Sequence, residues 1–288
     1  MSDNRPEHLR ALAEALAVEA AAFVRGRRAE IFGQRPGDSS DPANAVQAVR
    51  VKSTPTDPVT VVDTETESLL RSRLAAQRPG DAVLGEEGGG PQTGSGDGVC
   101  WVLDPIDGTV NFVYGLPAYA VSVAAQIGGQ SVAGAVADVV SGDVYSAAQG
   151  GGAQVLRAGS RRALSCSTVT ELPMSLVGTG FGYAAGRRAE QAALLARMLP
   201  VVRDVRRIGS ASLDLCLVAE GRLDAYYEHG LHVWDWAAAA LVAVEAGALV
   251  RLPEPAEGDG ALVVAAAPGV FTPLVETLEG FGGLRALP

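Results

Sequence analysis

The sequence predicts a layered protein, α+β in its first half and α/β in its second. Two observations carry this. Up to about residue 156, two helical stretches accompany short apolar runs cut by glycine pairs, which marks an antiparallel meander. Beyond it, strand-like runs alternate with helices, which suggests helices packed on a mixed sheet. The chain therefore divides into 1–155 and 156–288, with the boundary stretch near Gly152 to Arg162 and no internal repeat.

The elements follow in order. Leu9, Leu12, Leu16, Ala20 and Phe23 recur at three- and four-residue steps, one face of a helix from about Glu7 to Ile31. A second helix covers about Thr64 to Gln77, and Thr64-Glu65-Thr66-Glu67 reads as its capping box. Val83-Leu84-Gly85 is a short apolar run ending in Glu86 and Glu87. Val99 to Leu103 reads as a buried strand, ended by Pro105 because proline lacks the N–H that a ladder needs. Strand-like runs then cover Ala118 to Ile127, Ser131 to Val140, Asp143 to Ala148 and Ala153 to Leu156. In the second half Ser175 to Gly178 and Asp224 to Tyr227 read as strands, Arg187 to Val202 and Leu213 to Ala219 as helices. Asp235 opens an Ala-rich helix, Trp236 to Ala246, stopped by Gly247. Ala248 to Leu252 and Ala261 to Ala266 are strand-like, and Pro273 to Glu279 is a final helix.

Chemistry gathers where these elements end. The run Trp101-Val102-Leu103-Asp104-Pro105-Ile106-Asp107-Gly108-Thr109 closes an apolar strand with two carboxylates three residues apart. Both point toward one cleft with the Ile106 carbonyl between them, an oxygen set that suits Mg²⁺. Gly108 lets backbone approach a ligand, and the amides of Gly108 and Thr109 form an anion site. Asp-Pro and Asp-Gly also mark ordinary turns, Asp235 also reads as a helix cap, Asp63 as a helix flank and Lys52 as a solvated lysine. Several carboxylates converging at element ends are costly without cations, since like charges about 4 Å apart repel by a few kcal/mol.

Composition narrows the function classes. The 288 residues are 48% hydrophobic, enough for a sizeable core, and the net charge of −10 disfavours direct nucleic-acid binding. Three cysteines, Cys100, Cys166 and Cys216, give no disulfide framework. No signal peptide and no apolar run of membrane length is read, so a cytoplasmic protein without a membrane span is expected. His229 and His232 flank an acidic run, but zinc wants more N or S ligands than these supply. An aspartyl-phosphate mechanism wants a closer pair of acids than Asp104 and Asp107, and no P-loop is present.

On the 101–112 run, on Trp234-Asp235-Trp236-Ala237-Ala238 followed by Glu245-Ala246-Gly247, on Gly85-Glu86-Glu87 and on Asp57-Pro58-Val59-Thr60-Val61-Val62-Asp63, the chain resembles the inositol monophosphatase family. This is a family of Mg²⁺-dependent, Li⁺-sensitive phosphatases, and the likeness is greatest to bacterial, particularly actinobacterial, members. It covers nearly the whole chain, to about Ala267.

The resemblance implies an αβαβα sandwich with the cleft between the two halves, the first holding most metal ligands and the second supplying Glu228 and Asp235. It implies that Glu86, Asp104 and the Ile106 carbonyl hold a first Mg²⁺ and that Asp104, Asp107 and Asp235 hold a second. A third, weaker ion lies near Glu86. Thr109, hydrogen-bonded to Asp63, positions the attacking water with help from Glu86. Asp107 and the Gly108 and Thr109 amides meet the phosphate, Glu228 meets ring hydroxyls, and Gly209, Ser210 and Ala211 line the substrate. Lys52 matches a basic residue on a mobile loop near the metals.

The implied substrate is myo-inositol monophosphate, with fructose 1,6-bisphosphate, histidinol phosphate and 3′-phosphoadenosine 5′-phosphate as competitors. A homodimer is implied, and partnership with RNA polymerase in transcription antitermination is the alternative role. The chain departs from the family in carrying alanine throughout Ala237 to Ala240, where a glycine is usual, and in a longer Gly33 to Ala48 stretch.

Overall fold

The computed structural model describes residues 3–33, 49–51, 58–91, 98–254, 257–258 and 260–288. Helix α1 (Pro6–Phe32) opens on a proline, whose missing N–H costs nothing in a first turn. Strands β1 (Val49–Val51) and β2 (Pro58–Thr60) pair antiparallel, and β2 runs directly into α2 (Val61–Gln77). The cap of α2 lies one turn earlier than the sequence suggested. The Thr60 hydroxyl accepts the Val62 amide at 3.2 Å, and the Asp63 carboxylate accepts the Thr60 amide at 2.9 Å. Glu67, expected in the cap, is buried and committed elsewhere.

A seven-stranded sheet follows: β3 (Ala82–Gly85), β4 (Val99–Asp107), β5 (Ala120–Ile127), β6 (Gln130–Asp138), β7 (Val144–Ala148), β8 (Gly152–Arg157) and β9 (Ser160–Ala163), in sequence order across the sheet. Strands β3 and β4 are parallel and the remainder is the expected antiparallel meander. Strand β9, all of it exposed, had no apolar signal to announce it. Pro105 does not end β4, because it sits at an irregularity where its missing N–H breaks no ladder bond. A short helix α3 (Thr109–Tyr114) joins β4 to β5.

The second sheet is built from β10 (Leu176–Thr179), β11 (Asp204–Arg206), β12 (Ala225–His229), β13 (Leu249–Arg251) and β14 (Leu262–Ala266), ordered β11-β10-β12-β14-β13. It is mixed, with β10 parallel to β11 and β12, and β14 antiparallel to β12 and β13. Helices α4 (Ala185–Met198), α5 (Ala211–Ala219), α6 (Val233–Glu245) and α7 (Pro268–Gly280) complete the half. Helix α7 starts five residues before Pro273, with Pro268 in its first turn. Helix α6 starts at Val233, so Asp235 is its third residue and not its cap.

Strand periodicity sorts the side chains into layers. On the first sheet Trp101, Leu103, Val121 and Val123 pack against α1 and α2, while Val102, Ala124 and Val136 face α5 and α6. On the second, Tyr226, Val263 and Ala265 meet those same two helices from the other side. Ala225, Tyr227, Leu262 and Val264 turn outward to α4 and α7. The result is the αβαβα sandwich, with one core continuous across the middle layer. Small residues set its thickness: a Cβ on Gly134 of β6 would lie 2.8 Å from the Ala238 Cα, and Ala237 to Ala240 are all buried.

Neither partner in that contact is the end of a flexible side chain. Gly134→Val is therefore expected to destabilise the fold by about 1–3 kcal/mol, the usual range for overpacking. Urea denaturation checks this, and an unchanged midpoint would show that α6 is free to move away from β6.

Candidate active site

The site begins with the irregularity in β4. Asp104 pairs with Ser122 and Asp107 with Ala120, so three steps on β4 span two on β5. Residues three apart on a regular strand point to opposite faces. The extra residue restores both aspartates to one side, and Asp235 arrives from the first turn of α6. Carboxylate oxygens of Asp104, Asp107 and Asp235 then lie within 4.8 Å of one another.

Each is held by the backbone or by short polar side chains. Asp104 Oδ1 accepts the Ile106 amide at 3.0 Å. Asp107 Oδ2 accepts the Ser210 hydroxyl at 2.6 Å and the Ser212 amide at 2.7 Å, and the Ser212 hydroxyl donates to it as well. Asp235 Oδ2 accepts the His232 amide at 2.6 Å. Burial pushes all three proton affinities up. Glu86, Asp107 and Asp235 push Asp104 further, and Glu86 and Asp107 push Asp235 further. The serine hydrogen bonds partly offset the rise at Asp107. Glu86, half-buried on the turn after β3, hydrogen-bonds Asp104. An all-oxygen donor set whose members repel one another until a cation joins them fits a hard divalent ion.

Behind the carboxylates, α2 delivers Asp63, which is fully buried. Its Oδ1 lies 3.2 Å from the Thr109 hydroxyl, which is 3.0 Å from the Ile106 carbonyl, so the single hydroxyl proton serves one or the other. Burial raises the Asp63 carboxyl to about 7, against the lowering effect of the Thr60 hydrogen bonds. Gly108 is left-handed at φ 94°, and a Cβ there would come within 3.0 Å of the carbonyls of Ala118 and Gly209. That contact brings the Gly209–Ala211 stretch against the β4 turn.

A cleft of about 560 Å³ opens over these groups, and Glu86, Asp107, Gly108, Glu228 and Asp235 meet in it with Gly209, Ser210 and Ala211 as one wall. Asp104, Ile106, Thr109 and Asp63 are buried. Glu228 takes the Tyr226 hydroxyl on Oε2 at 2.6 Å, and burial raises it to about 7. Lys52 and most of the Gly33 to Ala48 stretch lie outside the described residues. His229 borders the cleft, with Nε2 2.7 Å from the Gly283 carbonyl oxygen.

Sequence reasoning missed Ser212, Asn111, Arg207 and Tyr226. Asn111 donates to the carbonyls of Ala118 at 2.7 Å and Ile208 at 3.0 Å and so ties the two loops together. Arg207 faces the cleft and offsets part of the rise at Glu228. Ser212 and Arg207 carry no motif of their own, because their partners are far away in the chain; Asn111 lies within the 101–112 run, and Tyr226 stands two residues from its acceptor Glu228.

A model of the inositol monophosphatase family matches residues 5–277. An inositol-1-monophosphatase of Mycobacterium leprae is 65% identical over 291 residues, covering 99% of this chain and 98% of that protein. The solved structure of Mycobacterium tuberculosis SuhB superposes with a TM-score of 0.82 at 56% identity, over 98% of this chain and 100% of that one. The Nus factor SuhB of Vibrio cholerae is 36% identical over 225 residues, covering 78% of this chain and 82% of that protein.

The raised carboxyls set the pH dependence. A group whose folded value lies above its unfolded one stabilises fully below the unfolded value and loses that contribution as pH rises through the folded one. Asp63 and Glu228 place that loss near 7, and His229, whose proton affinity burial lowers, acts in the opposite direction. Chelator-treated protein is thus expected to melt at a lower temperature at pH 8 than at pH 6. Added Mg²⁺ should raise the melting temperature more at pH 8, and a Mg²⁺ effect independent of pH would contradict this electrostatic account.

Proposed function

The chain belongs to the inositol monophosphatase family, and from that premise we propose how its cleft works. The protein is a phosphatase that hydrolyses inositol phosphate. We assign myo-inositol monophosphate as the preferred ester and Mg²⁺ as the cation, two to three ions per site. The observation that carries the assignment is the cluster of Asp104, Asp107 and Asp235, whose donors are all oxygen. Glu86 and the Ile106 carbonyl complete the ligand set. When bound, the cation offsets the carboxylate charge, makes water acidic enough to attack and stabilises the leaving oxygen.

The chain's own groups do the rest. Thr109 orients the attacking water through its hydroxyl, with Glu86 beside it, and Asp63 behind Thr109 receives the proton. Burial raises the proton affinity of Asp63, which suits it to that exchange. The amides of Gly108 and Thr109, with Asp107, hold the phosphate. Glu228 orients the polyol: Tyr226 occupies Oε2, and the carboxylate accepts hydrogen bonds from ring hydroxyls. Gly209, Ser210 and Ala211 form the wall against which the ring lies, and Lys52 supplies positive charge near the phosphate.

We read the halves as 1–155 and 156–288, although the first sheet continues to Ala163. We further propose a homodimer, the commonest closed assembly. A cytoplasmic location is supported by three free cysteines, two of them buried. Among the described residues no helix is long and apolar enough to cross a membrane.

A second reading, partnership with RNA polymerase, is favoured by the relatives named Nus factor. Asp104→Asn separates the two, since a cellular phenotype that survives the substitution belongs to the partner role.

Phosphate release from myo-inositol 1-phosphate is expected to require Mg²⁺ and to exceed release from fructose 1,6-bisphosphate, histidinol phosphate and 3′-phosphoadenosine 5′-phosphate. Preference for another ester would retain the metal site and discard the polyol assignment. Asp235→Asn is expected to lower kcat at least about 100-fold, a barrier increase of about 2.7 kcal/mol. Near-normal turnover with unchanged Mg²⁺ stoichiometry would remove Asp235 from the ligand set.

A further inference from the structure

Glu67 has no role in the chemistry above, yet it is 3% exposed and carries a carboxylate. It lies one helical turn after Asp63 on the buried face of α2, so one stripe of that helix serves both Thr109 and the turn that follows β3. Three N–H donors converge on its two oxygens. The Glu87 amide reaches Oε2 at 2.8 Å, the Gly88 amide reaches Oε1 at 2.9 Å, and Arg71 Nε reaches Oε1 at 2.7 Å. Arg71 continues to the Gly89 carbonyl at 2.6 Å.

The turn is shaped around this carboxylate. A Cβ on Gly85 would lie 2.4 Å from Glu67 Oε2, and one on Gly88 would lie 2.7 Å from its Oε1. The turn also closes on itself through reciprocal Gly85–Gly89 hydrogen bonds of 3.1 and 3.0 Å. On the other side the Glu86 amide donates to the Leu103 carbonyl at 3.2 Å, one residue before Asp104. Glu86 is therefore pinned from both directions, by β4 through its own amide and by Glu67 through the next two.

We propose that Glu67, braced by Arg71, is a positioning residue that holds the Glu86 carboxylate against Asp104 and so sets the affinity of the cation site. This rests on the reading of Glu86 as a metal ligand. Without a cation, the ionised carboxylates of Glu86 and Asp104 repel, and an untethered surface turn would relieve that repulsion by swinging outward. The clamp opposes this, so binding does not have to order the turn. The position demands an acceptor at both oxygens, which a carboxylate supplies and an amide does not. In Glu67→Gln the NH₂ group would face one of the three donors. Burial of the charge is offset by the Arg71 pair.

The test is calorimetric titration of Mg²⁺ into chelator-treated full-length protein, with melting temperature measured in parallel. Glu67→Gln is expected to weaken the tightest Mg²⁺ site roughly 10- to 100-fold, the usual consequence of losing a group that orients a ligand. Turnover should recover as Mg²⁺ is raised to saturation. Gly88→Ala reaches the clamp from the exposed side and should shift the affinity in the same direction, and it decides the matter if Glu67→Gln does not fold. Unchanged Mg²⁺ affinity in a folded clamp variant, even with a lower melting temperature, would overturn the proposal and leave Glu67 as a structural group. Glu86→Gln separates the two readings. If it weakens Mg²⁺ binding and the clamp variants do not, only the clamp fails. If it leaves binding unchanged, Glu86 is not a ligand and the proposal falls with that reading.

Discussion

Asp104, Asp107 and Asp235 repel one another across less than 4.8 Å, and the surrounding structure is arranged to withstand that repulsion. Charges at such a distance oppose each other by about 3–4 kcal/mol per pair at an effective dielectric of about 20. Serine hydroxyls and amides brace Asp107, the Ile106 amide braces Asp104, and the His232 amide braces Asp235. None of these groups carries the charge needed to cancel the cluster. They fix geometry and leave a cation as the group that completes the site.

That geometry depends on the middle layer of the sandwich. Helix α6 carries Asp235 at one end, and at the other Glu245 accepts the amides of Gly150 and Gly152 at 2.8 Å each. Between those ends the helix lies against β6 at a distance that leaves no room for a Cβ on Gly134. Helix α5 shares the layer, and its cap Ser210 and first-turn Ser212 face Asp107. Both sheets therefore contribute to one cleft, the first through β4 and the turn after β3, the second through β12. A shift in either helix would move Asp235 or the serine hydroxyls that brace Asp107.

The outer helices serve the site less directly. Helix α2 packs on the first sheet through Val62, Leu70 and Leu74 and uses the same face to present Asp63 and Glu67. Its cap, formed by Thr60 with Asp63, uses one oxygen of the carboxylate whose other oxygen meets Thr109. The N-terminal cap of the helix and the contact with Thr109 are thus served by a single side chain. This is why Asp63 reads from the sequence both as a helix flank and as a site residue.

The sequence by itself determined the helix and strand content of each half, most element positions and, through the family resemblance, which acids to look for at the cleft. Apolar periodicity and glycine spacing are local signals, and Asp104, Asp107, Glu86 and Asp235 all lie at the ends of apolar runs. It did not reveal how Asp104 and Asp107 come to share a face. Pro105 reads locally as a strand end, whereas pairing with β5 carries β4 through it with one residue to spare. It placed the α2 cap at Thr64 to Glu67, because a Thr/Glu spacing matches a capping box wherever it occurs. Tertiary structure moved the cap to Thr60 and assigned Glu67 to the amides of Glu87 and Gly88, twenty and twenty-one residues away. Ser212 and Arg207 were invisible for the same physical reason. A polar side chain takes its role from the donors and acceptors that folding brings to it, and those lie beyond the reach of local pattern.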